Sequence, residues 1–370
     1  MVAVRPRAIA AILEFIVLSA PAVAIRTTTT HHRSLRRWLM ACVVAVLLAV
    51  VVGGITRLTE SGLSITVWEP VSGIFPPTTD AGWQQAYEAF QQIPQAQTTH
   101  KGITMDSFKW IYWWEWFHRI LARTVGLVFA IPYVWLLWRG AIPGGLKLRL
   151  ASLPLLTLAQ GALGWYMVQS GLAERSSVSA YRLTAHLALA LAILVVALWT
   201  WAELRPRAHD EHSGASRGWY WATLGLVAAI GVTVLSGGFV AGLRAGTIFN
   251  TFPLMGGAVV PPGYSMFASW WTNAFENPVA AQFHHRVLAV LTGTAAIVAA
   301  VWAGRSGPGR RAIRALQAVG VLALLQVSLG IATLLLAVPI TLGVMHQFVG
   351  VLFLSAGVLA LYEVREAVRS

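Results

Sequence analysis

"EWFHRILARTVGL" spans residues 115–127 and "QFHHRVLAVLTGT" spans residues 282–294. One chain carries nearly the same phrase twice. Each copy sets a histidine and an arginine, His118-Arg119 and His285-Arg286, at the head of an apolar run. The copies belong to longer matching halves. "VVGGITRLTESGL" (51–63) echoes "LSGGFVAGLRAGT" (235–247), and "LAQGALGWYMVQSGL" (158–172) echoes "LLQVSLGIATLLLAV" (324–338). "LTAHLALALAI" (183–193) echoes "GVMHQFVGVLF" (343–353). The order of motifs is the same in both halves, so the chain reads as an internal duplication.

Composition sets the medium of the fold. Of 370 residues, 57% are hydrophobic and 11% are charged, well below the roughly 25% charged residues of soluble domains. Eight segments approach the ~20 apolar residues that a bilayer crossing needs. They lie near 38–56, 118–138, 150–170, 181–203, 219–243, 285–303, 313–336 and 341–362, with a tight turn at Val338-Pro339 between the last two. The expected fold is an all-α membrane protein of eight transmembrane helices. Four spans per half is an even number, so both halves enter on the same side, as parallel repeats about an axis along the membrane normal do. Two pseudo-twofold-related four-helix bundles follow. They comprise residues 38–203 and 219–362, joined by a linker at 204–218, with an extension at 1–37 and a tail at 363–370.

The net charge of +13 does not point to nucleic acid, because Lys and Arg sit in short patches between apolar runs rather than in one basic stripe. Arg33, Arg36, Arg37, Lys147, Arg149, Arg310, Arg311 and Arg314 fall in alternate connectors. The positive-inside rule then places both termini in the cytoplasm and the long connectors 57–117 and 244–284 outside. Ala8–Ile25 is apolar but fits this topology poorly. It reads as an extension from an over-called start or a surface-lying segment, or alternatively as a signal sequence cleaved near Ala22-Val23-Ala24. The single cysteine, Cys42, lies within an apolar run, so no disulfide forms within the chain.

Each half supplies two histidines, His118 and His186 in the first, His285 and His346 in the second. His118 and His285 open even-numbered spans and His186 and His346 lie near the start of theirs, so all four are expected at one depth near the outer leaflet. Trp110, Tyr112, Trp113, Trp114 and Trp116 before His118, and Trp270 and Trp271 before His285, mark that interfacial level. One histidine near a span end is ordinarily a hydrogen-bonded interfacial residue. Four, paired within halves and matched between them, are expected to bind something. Two imidazoles from facing helices of a four-helix unit make an axial pair for haem iron. Zinc would need more ligands per half. His284 aligns with Phe117 and is not expected to be a ligand. His31, His32, His100, His209 and His212 fall in polar connectors and read as solvated. Arg119 and Arg286 either snorkel to headgroups or pair with haem propionates.

The halves diverge at one carboxylate. Glu115 lies one helical turn before His118, where the second half has Gln282. The half with Glu115 is equipped for proton chemistry or for stabilising a cation. The half with Gln282 is equipped to hold a permanent cofactor.

At these residues the chain resembles the haem A synthase family, in its cysteine-free proteobacterial and mitochondrial class. The resemblance covers about residues 38–362. "GGITRLTESGLSITVWEPVSGIFPP" (53–77), "EWFHR" (115–119), "TAHLAL" (184–189), "FHHR" (283–286) and "MHQFVG" (345–350) carry it. It implies a membrane oxidoreductase that converts haem O to haem A by oxidising the C8 methyl of the porphyrin to a formyl group. It also implies a haem b held by His285 and His346, and a substrate side formed by Glu115, His118 and His186. Another class has a cysteine pair in the outer loops; its absence here removes a disulfide route for electrons. The implied setting is the bacterial inner membrane, with haem O synthase and cytochrome oxidase assembly as partners and the oligomeric state open. Two other readings compete. A dihaem b-type electron-transfer subunit would want its haems staggered towards opposite faces and would leave Glu115 idle. A repeat-built transporter would not need four matched histidines.

Overall fold

The turn between the last two long helices shows how tightly the chain is folded back. Ala337 and Val338 both adopt positive φ, 57° and 60°, and Val338 N donates to Thr333 O at 2.8 Å. Pro339 then directs the chain into the next helix, as expected from sequence.

This is a computed structural model, and it describes residues 29–68, 72–173, 177–206 and 215–369. Ala8–Ile25, His209 and His212 lie outside the described residues. Eight long helices organise the rest: α1 Thr29–Leu58, α2 Met105–Trp138, α3 Lys147–Ala173, α4 Ala180–Glu203, α5 Arg217–Gly242, α6 Pro278–Ser306, α7 Arg310–Leu335 and α8 Ile340–Arg369. Among the described residues there is no strand beyond an isolated bridge, Met255 to Ala258. Seven of the eight helices are long and apolar enough to cross a membrane. The exception is α3. At 27 residues it is long enough, but Pro154, Gln160, Gly161 and Gly164 dilute its apolar run.

Several helices begin before the expected spans. The Thr104 side chain accepts from Ser107 N and starts α2 at Met105, so His118 lies several turns inside a helix rather than at its start. Asn277 caps α6 by accepting from Val279 N and Ala280 N, with Pro278 in the first turn, a favourable N-terminal combination. α8 runs on to Arg369, so the expected tail is helical.

In the first half α1 packs on α2 and α4, α2 on α3, and α3 on α4. In the second, α5 packs on α6 and α8, α6 on α7, and α7 on α8. Contacts between halves are α1–α8, α4–α5 and α4–α8. Exchanging the halves turns the first contact into the second and leaves the third unchanged. The central position of α4 and α8 shows in their apolar stretches, 50% buried in each against 17% in α2 and α5. Trp199 and Ile230 anchor this interior. At the end remote from the histidines, Glu203 of α4 accepts from Trp199 Nε1 at 3.0 Å and pairs with Arg149 and Arg365, so one carboxylate ties α3, α4 and α8 together. At the histidine end, Leu63, Phe90, Phe108 and Ile111 form a second small core under the α1–α2 connector.

Candidate functional site

In the second half α6 and α8 are not neighbours in the ring of four, yet each sends a histidine into its middle. The rings of His285 and His346 are 6.3 Å apart between centres and mutually perpendicular. A metal–imidazole bond of about 2 Å, plus about 1.2 Å from ring nitrogen to ring centre, gives roughly 6.4 Å for two axial imidazoles on one ion. The spacing therefore fits one iron between the two rings.

The tautomer of His285 fits as well. Its Nδ1 lies 2.8 Å from Ser236 Oγ, while that hydroxyl donates to Thr233 O at 2.7 Å. A hydroxyl has one proton to give, so Nδ1–H donates to Ser236 and the Nε2 lone pair is left for a metal. Such outer partners orient metal-binding imidazoles. His346 Nδ1 is buried without a partner.

Glycines make room for all four rings. A Cβ at Gly53 would stand 3.2 Å from His118 Nε2, and one at Gly237 3.2 Å from His285 Cε1. Added at Gly164 it would stand 3.1 Å from His186 Cε1, and at Gly330 2.9 Å from His346 Cε1. These positions are repeat partners, Gly53 with Gly237 and Gly164 with Gly330. Any larger residue would push the imidazole aside. The sequence reading missed this cradle, although the repeated "GG" of 53–54 and 237–238 and the repeated "LG" of 163–164 and 329–330 were its signal.

Glu115 is 2% exposed and fully bonded. It accepts from Ser64 Oγ at 2.8 Å and Ile65 N at 2.7 Å through one oxygen, and from Arg119 Nε and Nη2 through the other. Arg119 also donates to Ile65 O and Val67 O. In the second half Arg286 donates to Phe249 O and Thr251 O, and Gln282 donates to Phe249 O at 3.1 Å. Each arginine thus clasps the connector that follows the first helix of its half. This structural role went unforeseen, because it depends on pairing with carbonyls far away in sequence. Arg286 Nε remains buried without a partner.

The other histidines separate from these four. His284 Nε2 pairs with Tyr264 OH at 2.9 Å in the second long connector. His100 is not simply solvated: its ring packs on Phe90 and its Nε2 lies 3.3 Å from Glu60 O. His31 and His32 lie within α1 rather than in a connector. Cys42 is fully buried in α1.

Residues 36–358 match the COX15-CtaA family, described as a cytochrome oxidase assembly protein. That stretch contains all four histidines. The haem A synthase of Bradyrhizobium sp. strain ORS 278 is 43% identical over 333 residues, 90% of this chain and 91% of the relative. That of Paramagnetospirillum magneticum is 43% identical over 340 residues, 90% and 94% of the two chains. That of Brucella ovis is 44% identical over 335 residues, 88% and 90%.

Proposed function

The chain belongs to the COX15-CtaA family of cytochrome oxidase assembly proteins, and from that premise we propose that it is a haem A synthase, a membrane oxidoreductase that converts haem O to haem A. The observation that carries this reading is similarity to haem A synthases over nine tenths of the chain, in a stretch that includes two matched histidine pairs.

The eight helices form two pseudo-twofold bundles, with α3 crossing the bilayer beside the seven more apolar helices. The protein sits in a bacterial inner membrane with both termini cytoplasmic and the histidines near the outer leaflet. Haem O synthase supplies the substrate, and cytochrome oxidase assembly receives the product.

His285 and His346 hold a resident haem b. The 6.3 Å ring separation, the Ser236-fixed tautomer and the glycine cradle all suit that role. When bound, the haem supplies a one-electron relay inside the membrane. The unpartnered Nε–H of Arg286 is available to a propionate. In the first half Val52 stands where Ser236 stands in the second, so no hydroxyl fixes His118 in the same way. A less firmly held ring suits a substrate that must enter and leave, and His118 and His186 are assigned to haem O.

Oxidising a methyl group to a formyl group with water as the oxygen source releases four protons and four electrons, and the electrons pass to an oxidant external to the chain. Positive charge developing beside the porphyrin needs a compensating group, and a released proton needs an acceptor. Glu115, one turn from His118 and held by Arg119, Ser64 and Ile65 N, is assigned to either role. A fixed carboxylate in a water-poor site acts more strongly than an exposed one. Arg119 acts on haem through Glu115 and through any propionate within its reach. Co-expression with a haem O source, followed by haem extraction and chromatography, tests the reading. Haem A is expected together with one firmly bound haem b. Two b haems and no haem A would instead identify an electron-transfer subunit.

A further inference from the structure

A cavity of about 280 Å³ opens between the halves at the histidine end. Ile55 and Thr59 of α1, Trp110 and Trp114 of α2, and Ile340, Thr341, Val344 and Met345 of α8 line it. Trp114 lies one turn before His118. The cavity is therefore largely apolar and opens on the helix that carries the histidine assigned to the substrate.

The duplication supplies a control within the same molecule. Under the repeat, Ile55 corresponds to Phe239 and Thr341 to Tyr181. At the repeat-related junction, where α4 meets α5 of the second half, these two positions carry aromatic rings in contact, 5.6 Å apart and edge-on. Phe275 packs on Phe239 at 5.2 Å, and Trp271 on Phe275 at 4.3 Å. Where α1 and α2 meet α8 the groove is open, and at the repeat-related junction of α5 with α4 aromatic side chains occupy the corresponding place.

The two haems assigned to the halves differ in the same sense. Haem O carries a long isoprenoid chain on its ring edge, and haem b carries a small vinyl group there. We infer that the groove lined by Ile55, Trp110, Trp114, Thr341 and Met345 holds the isoprenoid tail of haem O, and that its aromatic filling in the second half keeps tailed haems out of the haem b site. The inference rests on the proposed function. An apolar chain gains by leaving water in proportion to the area it buries, so the groove discriminates between tailed and tailless haem. Ile55, Thr341 and Met345 are specificity-determining residues and take no part in the oxidation.

The test is to rebuild the filling of the second half in the first, with Ile55→Phe and Thr341→Tyr singly and together. Purified wild-type protein, its haem b in place, is titrated with haem O and separately with added haem b. The wild type is expected to prefer haem O by about tenfold or more, and the double variant to lose most of that preference. The resident haem b is expected to remain at wild-type level, which also reports folding. If the double variant folds poorly, the Thr341→Tyr single variant, at an exposed position, carries the test. Unchanged haem O preference and unchanged haem A yield in the filled variants would overturn the inference; the groove would then belong to a membrane lipid chain. Failure of the wild type to make haem A would instead overturn the proposed function, so the two failures are distinct.

Discussion

Glu115 and Arg119 form an ion pair of 2.6 Å in which the two side chains are only 3% and 12% exposed. The pair spans one turn of α2, a spacing at which side chains meet. In the second half Gln282 and Arg286 occupy the same two positions without the charge on the first. Burying a carboxylate is costly unless it is paired and hydrogen-bonded, and Glu115 has both kinds of partner. The first half retains a charge that the architecture alone does not need, since the second half folds with an amide there.

That difference predicts the behaviour of Glu115→Gln. Haem b at His285 and His346 is expected to stay bound, while haem A yield falls by about tenfold or more and haem O accumulates, with or without a hydroxylated intermediate. Removing one member of a buried pair also destabilises, by about 3–5 kcal/mol in severe cases. The comparison is therefore made at equal amounts of haem b-loaded protein. Near-normal haem A production by this variant would leave Glu115 as a clasp for the connector at Ile65 and nothing more.

The haem b assignment makes a separate prediction. His285→Ala and His346→Ala are each expected to abolish the low-spin bis-imidazole spectrum of the purified protein. His284→Ala is expected to keep it, because that ring is held by Tyr264 OH. Ser236→Ala is expected to weaken haem b retention by about 10–100-fold without removing either axial ligand. Loss of the spectrum in His284→Ala with retention in His285→Ala would show the repeat to be misaligned here.

The duplication, the all-helical character and the matched histidines were legible in the sequence because they depend on local pattern: apolar runs, charge patches and repeated phrases. The outward extension of α2 to Met105 was not. Asp106, Lys109 and the tryptophans read as a surface, and only Thr104 capping and packing of Phe108 against Phe90 show a continuing helix. The clasps of Arg119 and Arg286 were hidden for a different reason. Their partners are backbone carbonyls, which carry no residue identity. The groove beside Ile55 was invisible because an empty volume has no sequence signature until the two halves are superposed in space.

A prediction about stability concerns the end remote from the histidines. Glu203 bonds Arg149 and Arg365, which are both only 8% exposed. Glu203→Ala leaves two buried guanidiniums uncompensated and is expected to cost about 3 kcal/mol. The measurement is thermal denaturation of detergent-solubilised protein. A lower midpoint with an unchanged haem spectrum per folded molecule is expected, since the cluster does not touch any of the four histidines. An altered haem spectrum would show that the two ends are coupled.

The glycine cradles allow the two proposed haem sites to be perturbed one at a time, without replacing any of the four histidines. Gly330→Ala places a methyl group 2.9 Å from His346 Cε1, closer than carbon atoms tolerate. The ring must turn, and haem b per protein is expected to fall. Gly164→Ala places one 3.1 Å from His186 Cε1, on the opposite site. Here haem b is expected to stay, while haem O conversion falls. Gly161 lies on the same helix as Gly164, one turn earlier, and has nothing within 4 Å of an added Cβ. Gly161→Ala should therefore leave both haems unaffected and favour the helix by about 0.5–1 kcal/mol. Haem absorbance per protein, together with extracted haem O and haem A, measures all three. If Gly164→Ala removed haem b, or Gly161→Ala disturbed either haem, the assignment of one site to each half would be wrong.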